Sequence, residues 1–159
     1  MCIRDSFIPD NPVPVTMQTF GILLVGGLYG PRLTMLSIFS YMLIGIIGVP
    51  VFQGHSGGID YFFGVTGGYL VGFIFASVVI SVLSNTGFNK GLSIWAMIIG
   101  NIFIYVPALI WLSIYDFGWP ENGKLFSQAV YPFLIGDFIK LILASLSVNI
   151  LWKLSKKNN

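Results

Sequence analysis

The chain has 159 residues, 55% of them hydrophobic, 16% aromatic and only 9% charged, with a net charge of +2 and a mean hydropathy of +0.85. Soluble domains carry about 25% charged residues, so this composition excludes a water-coated globule and indicates an all-α integral membrane protein with a single membrane domain. The few, scattered basic residues exclude a nucleic-acid footprint, and a lone cysteine, Cys2, excludes an internal disulfide.

The first six residues, MCIRDS, differ in character from the chain beyond them. Back-translated, they resemble the end of a transposon-based sequencing library, so they are set aside and residues 7–159 are read as the domain. A spanning helix needs roughly 20 mainly apolar residues. Five segments qualify or nearly so: about 16–29, which is short, then 33–51, 66–83, 92–115 and about 129–151. They are separated by Pro31–Arg32, a glycine-rich loop over 52–64, SNTGFNKG at 84–91 and DFGWPENGK at 116–124.

The basic residues orient these segments. Arg32, Lys90, Lys153, Lys156 and Lys157 fall on one side; Asp10, Asp60, Asp116 and Glu121 fall on the other, where Lys124 is the only base past residue 6. The positive-inside rule puts the first group and the C-terminus in the cytoplasm. Trp111, Trp119 and Trp152 lie near segment ends, as interfacial aromatics do. With the C-terminus inside, five segments begin outside; a missing first helix starting in the cytoplasm is the expected completion, giving six.

Small residues recur every fourth position at Gly64, Gly68, Gly72 and Ala76, and at Gly26 and Gly30. That spacing lets helix backbones approach closely in lipid. Gly67 and Gly68, at the mouth of the third segment, equally allow a ligand to approach the backbone.

Four polar features stand out. Asp137 and Lys140, in PFLIGDFIK (132–140), sit three residues apart and share one helix face. Ionisable groups in a span cost roughly 2.5–3.5 kcal/mol each at the centre. The pair therefore reads either as a self-neutralising packing element or as an acceptor and donor for a ligand. Thr16 and Gln18, in VPVTMQTF (13–20), are polar at the mouth of the first segment, where Thr16 alternatively caps a helix. Tyr69, in TGGYLVGF (66–73), serves as an interfacial anchor or a ligand contact. Asn101, midway along the fourth segment with Tyr105 on its face, reads best as a bond to a neighbouring helix. Topology brings Thr16, Gln18, Gly68, Tyr69 and Asp137 to one leaflet, which describes a small pocket loaded from outside.

Other chemistries lack their residues. No Gly-Lys-Ser/Thr follows the glycine run, so there is no P-loop, and neither HExxH nor GxSxG occurs. His55 is the only histidine, so no His/Cys metal cluster is available; no cofactor and no enzymatic activity are expected. The classes left open are a solute-capturing subunit, a self-sufficient small polar-solute or proton-coupled transporter or channel, and a structural membrane subunit.

VPVTMQTF, LYGPRLTMLSIFSYMLIGIIGVPVF, GVTGGYLVGF and PFLIGDFIK, in this order, resemble the BioY family, the biotin-specific S components of energy-coupling factor (ECF) transporters. The resemblance covers about residues 7–154. It implies a six-helix protein of the prokaryotic plasma membrane that binds biotin from outside and works with a transmembrane coupling subunit and two ATPase subunits. It carries GGY onto Gly67, Gly68 and Tyr69, the PVT-Q stretch onto Pro14, Val15, Thr16 and Gln18, and GD-K onto Gly136, Asp137 and Lys140. It implies that Asp137 accepts from a ureido N–H of biotin, that Lys140 orients Asp137 or meets a polar group of biotin, that Gln18 serves either edge, and that Tyr69 packs on the ligand. Two departures are Val65, where the family usually has proline, and the absent first helix.

Overall fold

The computed structural model describes residues 16–86, 94–121 and 123–157. Residues 1–6, Asp10, Pro12, Pro14, Val15 and Lys90 lie outside the described residues. Among those described the fold is all-α. The five expected segments appear as α1 (Gln18–Leu28), α2 (Pro31–Ile46), α4 (Gly67–Asn85), α5 (Ile94–Ile114) and α7 (Tyr131–Lys157). Two short helices that no apolar periodicity announced, α3 (Ile59–Phe62) and α6 (Leu125–Ala129), and a 3-10 turn at Gln53–His55 sit in the connections.

The breaks follow from the local sequence. Pro31 stands in the first turn of α2 behind an extended Gly30, where its fixed φ suits a helix start and its missing N–H costs nothing. Gly48 takes φ +108°, a conformation that ends α2 five residues before the expected boundary. Helices α4, α5 and the α6–α7 stretch are long and apolar enough to cross a membrane; α1 and α2 are shorter, at 11 and 16 residues. A short α1 is tolerated because protein, not lipid, meets its end. Thr34 Oγ1 donates to the carbonyls of Val25 and Tyr29, both at 3.3 Å, and Ser81 Oγ donates to Tyr29 at 2.7 Å. The Tyr29 carbonyl, left over at the helix C-terminus, thereby finds partners.

Packing is closest where glycines remove side chains. A Cβ on Gly68 would lie 2.5 Å from Trp111 Cβ, and one on Gly72 2.4 Å from the carbonyl oxygen of Ile104. The four-residue repeat in α4 is thus the seam against α5. Gly26 faces Ile80 on α4 while its neighbour Gly27 faces Val148 on α7, which wedges α1 between those two helices. Outward positions such as Leu36, Ile47, Ile110, Ile135 and Phe138 are exposed apolar groups, the surface a lipid-facing bundle presents. Arg32 and Lys153 occur at one end of the bundle; the other end, the loop end, carries Asp60, Asp116 and Glu121.

Candidate functional site

The site lies toward the loop end, where α1, α4, α5 and α7 meet beneath the loop between α2 and α4. A cavity of about 50 Å³ opens there. Its walls are Gln18 and Thr19 from α1, Tyr69, Leu70 and Phe73 from α4, Ile104 and Tyr105 from α5, and Phe133, Asp137 and Lys140 from α7; Gln53, Tyr61 and Thr66 come from the connecting loop.

Asp137 is the centre of the polar part. It is only 4% exposed and Lys140 7%, so the pair sits where an unpaired charge would be costly. Lys140 Nζ donates to Asp137 Oδ1 at 3.1 Å, which the three-residue spacing on α7 allows. Thr19 Oγ1 donates to the same oxygen at 3.3 Å. Tyr105 O–H donates to Oδ2. One carboxylate therefore ties α1, α5 and α7 together through three donors. A carboxylate offers about four acceptor positions and an ammonium three N–H donors; here Asp137 has most of its capacity engaged, and Lys140 has one donor engaged on Asp137.

The other expected site residues fall into two groups. Gln18 lines the cavity, donates from Nε2 to Tyr41 O–H at 2.8 Å, and accepts at Oε1 from Thr16 Oγ1 at 3.2 Å. Thr16 thus meets the site through Gln18. The ring of Tyr69 lines the cavity, edge-on to Tyr105 with centroids 6.4 Å apart, but its O–H donates to the carbonyl of Ala129 at 2.7 Å. Gly67 and Gly68 are not among the lining residues. A Cβ on Gly67 would strike the carbonyl of Phe62 at 2.2 Å, so both glycines serve helix packing in this structure. Asn101 differs from expectation: its buried Oδ1 finds no hydrogen-bond partner among the described residues. Tyr105, one turn along the same helix, is the α5 residue whose side chain hydrogen-bonds a neighbouring helix among the described residues.

Thr19, Tyr105, Gln53 and Tyr61 join the site without having been singled out as site residues from sequence. The one signal available was the i, i+4 spacing of Asn101 and Tyr105, which marks a polar face on an otherwise apolar helix. Removing the Tyr105 hydroxyl (Tyr105→Phe) deletes a hydrogen bond to a buried charged group, worth about 1.5–3 kcal/mol. The expected result is a loss of that order in thermal stability of the detergent-purified protein, with helix content unchanged by circular dichroism.

The model of the BioY family matches residues 3–157 of this chain. A probable biotin transporter from Pyrococcus horikoshii is 36% identical over 131 residues, spanning 82% of this chain and 75% of that protein. The biotin transporter of Thermotoga maritima is 33% identical over 139 residues, 87% of this chain and 80% of its own length. Among solved structures, the crystal structure of the S-component for biotin from an ECF-type ABC transporter aligns over 96% of this chain and 82% of that one, with a TM-score of 0.83 and 31% identity.

Proposed function

This chain belongs to the BioY family, and from that premise we propose that it is the biotin-binding S component of an ECF-type ABC importer. It captures biotin from the extracellular side and catalyses no reaction itself. The observation that carries the reading is the buried Asp137–Lys140 pair, bonded from two further helices and facing a cavity. Biotin's bicyclic head offers two ureido N–H donors and a carbonyl, and its tail ends in a carboxylate. Asp137 accepts from a ureido N–H, and Lys140 donates one of its remaining N–H groups to an acceptor of the ligand. Gln18, oriented by Thr16, adds a polar edge, and the Tyr69 ring packs on the ligand. Gly67 and Gly68 act at one remove, by holding α4 against α5 so that Tyr69 and Tyr105 face the cavity.

At about 50 Å³ the cavity has room for a few waters, so biotin enters as the surrounding side chains turn outward. Among the described residues, Asp137 and Lys140 are the only carboxylate and ammonium that line it, which is thin provision for a proton or ion path. For orientation, the support is the separation of Arg32 and Lys153 from Asp60, Asp116 and Glu121: the loop end faces outside and the end of α7 lies in the cytoplasm of a prokaryotic plasma membrane. Partners are the lipid bilayer, the ECF transmembrane coupling subunit and two ATPase subunits.

The test is a calorimetric titration of biotin into purified protein in detergent. Wild type binds, and Asp137→Asn weakens binding by about 1–3 kcal/mol through loss of a charge-assisted hydrogen bond. Absence of binding by wild type ends the biotin reading; undiminished binding by Asp137→Asn removes only the role given to Asp137.

A further inference from the structure

Two glutamines line the cavity from different elements, Gln18 from α1 and Gln53 from the 3-10 turn. Each is held by a tyrosine. Tyr41 O–H donates to the carbonyl of Val51 at 3.3 Å and accepts from Gln18 Nε2 at 2.8 Å. Because a phenol has one proton, its use on Val51 dictates that the Gln18 nitrogen, not its oxygen, faces Tyr41. Tyr61 O–H donates to Gln53 Oε1 at 3.1 Å. With Oε1 turned to Tyr61, the two N–H donors of the Gln53 amide are the groups left to meet a ligand.

Both tyrosines pack on one residue, Phe52. Its ring stacks on Tyr61 at 5.4 Å and meets Tyr41 edge-on at 5.6 Å. It is fully buried, although it belongs to a connecting loop, and it fits because position 45 is glycine: a Cβ there would lie 2.1 Å from Phe52 Cζ. The loop is fastened at the same place. Gly58 N–H donates to the carbonyl of Gly45 at 2.7 Å, and Phe52 N–H donates to the carbonyl of Ser56 at 3.0 Å. A large apolar side chain thus seats the loop on the end of α2 and carries both orienting tyrosines on its faces.

We propose that Phe52, seated on Gly45, is a positioning residue that sets Gln53 through Tyr61, so that Gln53 presents amide N–H donors to an acceptor atom, a carbonyl or carboxylate oxygen, of the ligand. The assignment rests on the biotin reading for the ligand. It gives the loop a recognition role distinct from the Asp137–Lys140 pair, on the opposite kind of ligand atom from the one Asp137 takes.

The test is a double-mutant cycle in biotin titrations on the purified full chain. Gln53→Ala raises Kd about tenfold, and Phe52→Leu raises it by a similar factor, since each removes about one well-placed hydrogen bond. Combined, the two substitutions raise Kd no further than the larger single change, because Phe52 acts through Gln53. Tyr61→Phe, which keeps the ring stack and loses only the hydroxyl, behaves as Phe52→Leu does and serves should Phe52→Leu fail to fold. A merely structural Phe52 would lower thermal stability and give effects that multiply, about a hundredfold in the double variant; that result, or an unchanged Kd in Gln53→Ala, overturns the proposal. Failure of wild type to bind biotin overturns the biotin reading and this proposal together, whereas multiplying effects in a wild type that binds overturn this proposal alone.

Discussion

Asp137→Leu should destabilise the empty protein by about 3–5 kcal/mol and abolish biotin binding, while the double variant Asp137→Leu/Lys140→Met should regain most of the stability and none of the binding. Removing one partner of a buried ion pair leaves the other charge uncompensated, which accounts for the size of the first effect. Lys140 is 7% exposed, so its ammonium is largely cut off from bulk water. The hydroxyl of Tyr105 loses its acceptor at the same time, and that of Thr19 keeps only the carbonyl of Thr16. Replacing both charges by apolar side chains of similar volume removes the uncompensated ammonium, and such exchanges are often neutral or stabilising. A ligand site would stay lost, because neither leucine nor methionine can meet a ureido group. Thermal unfolding followed by circular dichroism, beside biotin titration, reads both arms. An unchanged melting temperature in Asp137→Leu would mean that the charge is not buried in solution. Full binding by the double variant would make the pair a packing element only.

Gly72→Ala should cost about 1–3 kcal/mol of stability, the usual range for overpacking, and Gly72→Leu more. The added Cβ lands 2.4 Å from the carbonyl oxygen of Ile104 and 2.9 Å from its Cα. Both are backbone atoms, so no rotamer change relieves the clash and α5 has to move as a body. Tyr105 follows Ile104 in the chain and donates to Asp137; displacing α5 therefore weakens biotin binding as well as lowering the melting temperature. Gly30→Ala is the control. Gly30 stands at the start of α2 with φ −68°, and nothing lies within 4 Å of a Cβ built on it. Its stability should stay within about 0.5 kcal/mol of wild type. Equal melting temperatures for Gly72→Leu and wild type would overturn the seam between α4 and α5.

These two predictions draw on features of different legibility. The five main helices and their order could be read directly, because lipid forces long apolar runs and Pro31 and the loop glycines interrupt them. Helices α3 and α6 could not, since four or five residues carry no period. The Asp137–Lys140 pair was conspicuous because charge is rare in such a composition. Its donors were not: threonine and tyrosine are ordinary in membrane helices, and nothing local distinguishes Thr19 from Thr16 or marks Tyr105 above Asn101. Only the packing of three helices decides which hydroxyl reaches a carboxylate 118 residues away in sequence, as Thr19 does. The glycines at 67 and 68 show the reverse difficulty. A small residue reports that something comes close without reporting what, and in the structure it is Phe62, Ala108 and Trp111. Gln53 and Tyr61 sit in a loop, where neither periodicity nor charge points to a site.

Helix α7 exposes apolar side chains over half its circumference, with residues on opposite sides of its axis, Leu134 and Leu143, both exposed. Hydrocarbon is indifferent to which of these faces it touches, so the lipid exerts almost no torque on the helix. Its azimuth has to be set by a few directional bonds instead. One lies just before its first turn, where Tyr69 grips the carbonyl of Ala129, and another near its last, where Trp152 Nε1 donates to the carbonyl of Gly27 at 3.2 Å. Held at both ends, α7 behaves as a shaft between two pins. The charged pair midway along it keeps facing inward, and no swivel about the long axis can carry a bare aspartate into the bilayer.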